Sequence, residues 1–150
     1  MKAGDPASLP SDIVRDIVPY KDKLVIATQN GVCLFSPSTG SCRQLFKETK
    51  EGRNIGMVAS LCFDKNGTLW IAATGEGVYS YRFDSGELTN YSHNPATPNS
   101  LSNNNINNIT LDSSGNLWFS TSGSGLDRYR EESNDFENFD VQKDGLSSDC

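Results

Sequence analysis

The amino-acid sequence predicts an all-β protein built from a four-stranded antiparallel unit that recurs about three times. One segment returns along the chain, because Leu61–Ile71 is repeated as Ile109–Phe119 and a weaker copy occupies Ile17–Ile26. The apolar runs in these copies are short and are separated by turns, most of which contain glycine, as is typical of strands. No part of the chain shows the 3.6-residue periodicity of an amphipathic helix. A recurring unit of this kind indicates a repeat architecture rather than a single sandwich.

The repeat keeps a nearly constant spacing. Leu24, Leu69 and Leu117 occupy the same place in the three copies and lie 45 and 48 residues apart. This spacing predicts units at about 9–46, 57–91 and 101–139, with the start of a fourth repeat at 145–150. Because the chain ends just as that repeat begins, we expect it to be a piece of a longer protein.

The third copy shows how one unit divides into strands. Its predicted strands are Ile106–Leu111, Leu117–Thr121, Leu126–Arg130 and Phe136–Phe139. The second of these strands begins with consecutive apolar residues, which predicts that both faces of its sheet are covered. Four-stranded sheets stacked face to face are typical of β-propeller blades. We therefore predict a β-propeller fragment of about three four-stranded antiparallel blades.

An arc of three blades leaves a packing problem at its two ends. Known propellers have about four to eight blades, and closure is what covers the first and last sheets. An open arc exposes two apolar sheet faces to water, which favours association. We therefore expect either self-association or the remaining blades of a parent chain to cover these faces.

The composition excludes several classes of partner. The 150 residues include 19 Asp and Glu against 13 Lys and Arg, which gives a net charge of −6. Nucleic acid and anionic membrane surfaces are poor partners for such a chain, because both are bound through basic residues. The sequence has no apolar run long enough to cross a membrane and no signal-peptide core at its start. No cofactor is expected.

The cysteines predict neither a zinc site nor a disulfide. A structural zinc site needs closely paired ligands, and C-x-x-C spacing is missing from all four: Cys33, Cys42, Cys62 and Cys150. Pairing Ser36 with Ser41 across the intervening turn leaves Cys33 diagonal to Cys42, so that a disulfide would need a register shift. We therefore expect buried free thiols, which behave as small hydrophobic groups.

No catalytic group is predicted. His93 is the only histidine and lies in a polar loop without a serine or cysteine nucleophile in a recognisable context. The acidic stretch Glu131–Glu137 contains paired carboxylates of the kind that cleave glycosides, but we interpret it as a solvated outer hairpin. Asp64 and Asp112 occupy the turn position of the repeat, and we expect them to form turns rather than to bind a cation.

Polar loops on one rim are the expected ligand site. Trp70 and Trp118 occur once per unit in the second strand, which predicts packing between blades rather than stacking on a sugar. The loops that join one unit to the next, and those between second and third strands, should share one rim. Amides and a guanidinium there suit a hydroxyl-rich ligand, although asparagine is also common as a cap of turns. The candidate ligand-binding residues are Arg53, Asn54, Glu76, Asn103, Asn104 and Asn105.

Two copies of the unit resemble the two-component regulator propeller repeat. The pattern Asp-x-x-Gly-x-Leu-Trp, followed by an apolar residue and later by Gly-Val or Gly-Leu, occurs at Asp64–Ile71 with Gly77 and at Asp112–Phe119 with Gly125. Ile13–Phe35 matches weakly, since it lacks both the Asp-x-x-Gly turn and the tryptophan.

The resemblance implies a non-catalytic sensor. Propellers of that family form the periplasmic part of hybrid two-component receptors, where they bind oligosaccharides and signal through a membrane helix to a histidine kinase. We therefore expect an oligosaccharide-recognising region of such a receptor, in the periplasm. The alternatives are a propeller scaffold for protein–protein interaction and, less favoured by the residues, a propeller lyase or hydrolase.

Overall fold

A computed structural model describes residues 7–46 and 55–144 as three four-stranded antiparallel sheets. In each sheet the strands follow one another in chain order. The strands are β1 Val14–Tyr20, β2 Lys23–Thr28, β3 Gly31–Ser36, β4 Ser41–Phe46, β5 Val58–Phe63, β6 Leu69–Ala73, β7 Gly77–Arg82, β8 Glu87–Tyr91, β9 Ile106–Leu111, β10 Leu117–Thr121, β11 Leu126–Arg130 and β12 Asp135–Phe139. One helical turn, α1 (Val141–Asp144), follows β12. The predicted all-β class with four-stranded antiparallel blades is confirmed.

The three sheets are blade one (β1–β4), blade two (β5–β8) and blade three (β9–β12), and they pack side by side. Their first strands are neighbours, since β5 contacts both β1 and β9. Two apolar cores fill the junctions, one shared by blades one and two and one shared by blades two and three. Blade one also has a small buried cluster of its own, formed by Ile26, Cys33 and Cys42, whereas the buried apolar residues of blades two and three lie in the shared cores.

The repeated tryptophan packs between blades, as predicted, at the junction that the arc contains. Trp70 is only 2% exposed and its ring contacts Phe119 and Tyr129 of blade three. Trp118 holds the matching place on blade three, on the face that no other described blade covers, and is half-buried. Its ring contacts Phe139 of its own blade.

The repeated aspartate forms its turn and also anchors the tryptophan. Asp64 accepts hydrogen bonds from the backbone N–H of Asn66 (2.9 Å) and Thr68 (3.0 Å) and from Trp70 Nε1 (2.9 Å). Asp112 repeats this arrangement in blade three, with Trp118 Nε1 at 2.9 Å. The prediction that both aspartates form turns is confirmed.

Glycine begins the third strand of each blade because the backbone passes close to the fourth strand. Gly77 and Gly125 have φ values of +84° and +77°. A Cβ atom at these two positions would overlap the carbonyl oxygens of Tyr91 and Phe139. Only glycine meets both the positive φ and the close approach.

The expectation of free thiols at Cys33 and Cys42 is wrong, because the two residues form a disulfide. The register is the expected one, with Cys42 opposite Phe35 and Cys33 opposite Gln44, so that the cysteines are diagonal neighbours. Their Cα atoms are nevertheless 6.0 Å apart, inside the usual disulfide range of about 4.4–6.8 Å. The twist of paired strands shortens one diagonal below its flat-sheet value of about 7–8 Å.

Candidate functional site

The predicted ligand-facing loops lie together on one rim of the arc. Because the strands of each blade alternate in direction, the turns between second and third strands share a rim with the connections between blades. We call this rim, formed by residues 29–30, 74–76, 92–105 and 122–124, the upper rim. The opposite or lower rim carries the remaining turns, including 64–68, 83–86, 112–116 and 131–134.

Four of the six candidate ligand-binding residues lie on the upper rim around the start of blade three. Glu76 is in the turn between β6 and β7, and the next backbone N–H, of Gly77, donates to the carbonyl oxygen of Asn104 (3.0 Å). The N–H of Ser122 in the equivalent turn of blade three donates to the carbonyl oxygen of Asn105 (2.9 Å). The other two candidates, Arg53 and Asn54, lie outside the described residues.

Two of the three asparagines use their side chains to hold the loop. Asn103 donates from Nδ2 to the carbonyl oxygen of Ser122 (3.0 Å) and accepts at Oδ1 from the N–H of Asn105 (2.8 Å). Asn104 Oδ1 accepts from the N–H of His93 (2.6 Å). Asn105 is exposed, and within the described residues its amide group makes no recorded hydrogen bond. Asn105 is therefore the amide best placed to contact a ligand.

A buried carboxylate under this loop was not anticipated from the sequence. Asp127 is fully buried and accepts hydrogen bonds from the N–H of Ser102 (2.9 Å), from Ser102 Oγ (3.1 Å) and from Asn138 Nδ2 (2.7 Å). Burial raises the pKa of the Asp127 carboxyl, and the hydrogen bonds from Ser102 and Asn138 oppose that shift. The sequence does hold one indication of this burial. Asp127 occupies the repeat position that Tyr79 holds in blade two and Cys33 in blade one, and both of those residues are buried.

The imidazole ring of His93 holds the same loop in place. Its Nδ1 lies 2.6 Å from the carbonyl oxygen of Leu101, which is fully buried between the blades. No cluster of three or more His, Cys, Asp or Glu side chains suited to a metal ion occurs in the described part of the chain.

The acidic stretch 131–137 forms the turn and fourth strand on the opposite rim, where several of its carboxylates are ion-paired. Arg128 pairs with Glu137, Arg130 Nε lies 2.8 Å from Asp135 Oδ1, and Glu131 lies 3.2 Å from Lys65 Nζ. Paired carboxylates of this kind are poor acid–base catalysts, since their charges are already balanced.

A broad open groove between blades two and three opens toward the lower rim and was also not anticipated. Its lining includes Arg82, Glu87, Tyr91, Arg128, Tyr129 and Asn134. The hydroxyl groups of Tyr91 and Tyr129 both donate to Asn134 Oδ1 at 2.8 Å. Burial and the neighbouring Tyr91 raise the pKa of Tyr129. The two tyrosines lie on a fourth and a third strand, and no feature of the sequence shows that they meet across the blades.

Comparison with known families assigns the repeat. The model of the two-component regulator propeller matches residues 50–75 and 100–123, which end in the turns after the second strands of blades two and three. The first half of blade two and the first half of blade three are therefore similar to this repeat. No strand of blade one is part of either match. No curated protein matches the chain.

Solved structures share the fold over most of the chain. An extracellular domain described as part of a hybrid two-component system of B. thetaiotaomicron is 22% identical with a TM-score of 0.81, and the match covers 95% of this chain and 20% of that one. PorZ, a surface component of the type-IX secretion system of Porphyromonas gingivalis, is 15% identical with a TM-score of 0.66 over 91% of this chain and 22% of its own. Virginiamycin B lyase from Staphylococcus aureus is 20% identical with a TM-score of 0.64, over 90% and 44%.

These matches establish the propeller fold and show what share of a whole propeller domain the chain spans. The chain spans about a fifth of the length of the B. thetaiotaomicron domain. Since a surface component and a lyase share the fold with that domain, function must be argued from the site. Within residues 7–46 and 55–144, no helix is long and apolar enough to cross a membrane.

Proposed function

We propose that this chain is part of the ligand-sensing propeller of a bacterial two-component receptor and that its ligand is an oligosaccharide. The observation that carries the proposal is the family repeat in two adjacent blades, because the repeat is named for two-component regulators. The region acts by recognition and not by catalysis, which agrees with the ion-paired carboxylates and the loop-bound histidine described above.

The upper rim around blade three offers suitable chemistry for such a ligand. The exposed amide of Asn105 and the carboxylate of Glu76 offer hydrogen-bond donors and acceptors to sugar hydroxyl groups. The loop that presents Asn105 is held by hydrogen bonds from Ser102 to Asp127 and from Asn103 to Ser122. A loop held in this way loses little conformational freedom when a ligand binds.

The disulfide supports a location outside the cytoplasm. Disulfides persist in oxidising compartments such as the periplasm and are rare in the cytosol. The bond between Cys33 and Cys42 joins the two outer strands of blade one. We therefore propose a periplasmic location for the propeller.

Calorimetric titration with oligosaccharides tests the proposed ligand site. The probes are partial hydrolysates of xylan, arabinan, mannan and levan, titrated into the wild type and two matched variants. Asn105→Ala on the upper rim should weaken binding about fivefold, since one hydrogen bond to a ligand is worth on the order of 1 kcal/mol. Asn66→Ala on the lower rim, where the amide donates to Glu131 Oε1 at 2.8 Å, should leave binding unchanged.

Other outcomes separate the alternatives. Loss of binding in Asn66→Ala alone would move the site to the groove of the lower rim. Shortened oligosaccharides found by chromatography after incubation would replace the sensor by a lyase or hydrolase. Binding to none of the probes would contradict the oligosaccharide proposal and favour a scaffold for protein–protein interaction.

A further inference from the structure

The connection from blade two to blade three passes along the outer edge of blade three before it enters the innermost strand. The backbone N–H of Phe136, on the outermost strand β12, donates to the carbonyl oxygen of Asn99 (2.9 Å). Asn138 Nδ2, two residues further along β12, donates to the carbonyl oxygen of Ser100 (3.1 Å). We call residues 99–102 the edge segment. It gives a partner to a backbone N–H of the kind that an outermost strand otherwise leaves unpaired.

Blade one contains the same contact, so it is a feature of the repeat. Cys42 holds the position of Phe136 on the fourth strand of blade one, and its N–H donates to the carbonyl oxygen of Ala7 (2.8 Å). In both blades the fourth strand is therefore paired with the segment that leads into that blade.

The edge segment runs directly into the upper-rim loop that carries Asn105. Its last residue is Ser102, and Asn105 follows three positions later. Leu101, next to Ser102, is fully buried, and its carbonyl oxygen lies 2.6 Å from His93 Nδ1. The loop therefore has little room to shift unless the edge segment shifts with it.

One buried carboxylate joins the upper-rim loop to the outermost strand. Asp127 Oδ2 accepts the N–H and the hydroxyl of Ser102 at 2.9 and 3.1 Å, while Oδ1 accepts Asn138 Nδ2 at 2.7 Å. All three partners are donors, so both oxygens must act as acceptors, which a carboxylate can do and an amide cannot. Asp127 is fully buried, so water cannot replace a hydrogen bond that is lost there.

We propose that ligand binding at the upper rim is coupled through Asp127 to the attachment of the edge segment at β12. A ligand that contacts Asn105 selects the loop position in which Ser102 reaches Asp127, and this position also places the edge segment against Phe136. Binding on the rim therefore tightens a contact at the outer edge of the blade, and loosening that contact weakens binding. The inference rests on the ligand site proposed above and adds to it a second region that responds to the ligand.

Hydrogen exchange of single backbone amides, followed by NMR, tests the coupling first without a ligand. Asp127→Asn turns one acceptor oxygen into a donor, so either Ser102 or Asn138 loses its partner. The edge segment then detaches more often. Exchange of the Phe136 amide should therefore become at least about tenfold faster than in the wild type.

Glu137→Gln is the matched control, because it removes a carboxylate from the same strand on the opposite face from Asn138. Glu137 pairs with Arg128, and exchange of the Phe136 amide should match the wild type. Ser102→Ala removes only the hydroxyl group at Asp127 and should accelerate exchange by a smaller factor, which provides a second test if Asp127→Asn does not fold. Circular dichroism and a cooperative urea transition establish that each variant is folded.

The second part of the experiment adds the partial hydrolysates of xylan, arabinan, mannan and levan. A bound probe should slow exchange of the wild-type Phe136 amide at least about fivefold. It should leave the equivalent amide of Cys42 in blade one unchanged. In Asp127→Asn the probe should bind more weakly and should not alter exchange at Phe136.

The coupling and the ligand site can fail separately. Unchanged exchange at Phe136 in both Asp127→Asn and Ser102→Ala would overturn the coupling and leave the ligand site standing. A bound probe that leaves this amide unaffected, or that protects Cys42 equally, would overturn the coupling as well. If none of the probes binds, the coupling and the proposed function are overturned together.

Discussion

At the scale of single residues, the aspartate of the repeated turn does two tasks with one carboxylate. Asp64 closes the turn through the N–H groups of Asn66 and Thr68 and also holds the indole of Trp70. Trp70 is 2% exposed, so its N–H cannot reach water if the carboxylate is removed. Asp64→Ala should therefore lower the free energy of unfolding by about 1–3 kcal/mol, the cost of an unpaired buried donor. Urea unfolding followed by tryptophan fluorescence measures this loss.

Asp112→Ala is the matched control, because it removes the same hydrogen bonds in a more open setting. Trp118 is half-buried, so water can replace the lost acceptor and the loss should be smaller than at Asp64. Hydrogen bonds from Trp118 and Asn116 hold the pKa of the Asp112 carboxyl well below its usual range. Its contribution is therefore present above about pH 4 and disappears as the pH falls through the folded pKa. An equal loss in the two variants would contradict the role given to the burial of Trp70.

The sequence predicts residue roles where the partners are near in the chain and misses them where the partners are distant in the chain. The turn-forming role of Asp64 follows from the turn alone, because its partners are two and four residues away. The buried Asp127 does not, since its partners Ser102 and Asn138 are 25 and 11 residues away. The burial of Asp127 can be inferred only when the three repeats are aligned, because its carboxyl then occupies a position that is buried in the other two blades.

At the scale of elements, the outer strands of blade one are joined by a covalent bond that the other blades lack at this position. The equivalents of Cys33 are Tyr79 and Asp127, which are packed or hydrogen-bonded instead. Blade one has no preceding blade among the described residues. The disulfide therefore adds a covalent link to a sheet that packs against one neighbouring blade in the arc.

Reduction of this disulfide should destabilise the protein measurably. The bond joins residues separated by 9 positions, and closing a loop of this size stabilises by about 2–3 kcal/mol in the chain-entropy description. Urea unfolding with and without dithiothreitol measures the difference. The double variant Cys33→Ala/Cys42→Ala should unfold as the reduced wild type does and should not respond to dithiothreitol. If complete reduction left the urea unfolding transition of the wild type unchanged, the disulfide would not stabilise the protein as expected.

The strands could be predicted from the sequence, but the distances between side chains on paired strands could not. The predicted strands Leu117–Thr121 and Leu126–Arg130 coincide with β10 and β11, because apolar runs and glycine turns mark their ends. The diagonal contact of Cys33 with Cys42 depends on how far the paired strands twist. Twist is a property of the whole sheet, and no local pattern encodes its amount.

At the scale of the whole molecule, the repeat explains why exposure differs among equivalent positions. An interior blade has two neighbours, so its first strand is covered on both faces. Blade one lacks a preceding neighbour and blade three lacks a following one, and the exposed Ile17 and half-buried Trp118 mark these two ends. The sequence predicted two uncovered faces from the number of repeats. It did not predict the hydrogen bonds between first strands, in which Asp16 accepts the N–H of Leu61 and Ser60 Oγ accepts the N–H of Ile109, because these pairs are visible only when the three first strands lie side by side.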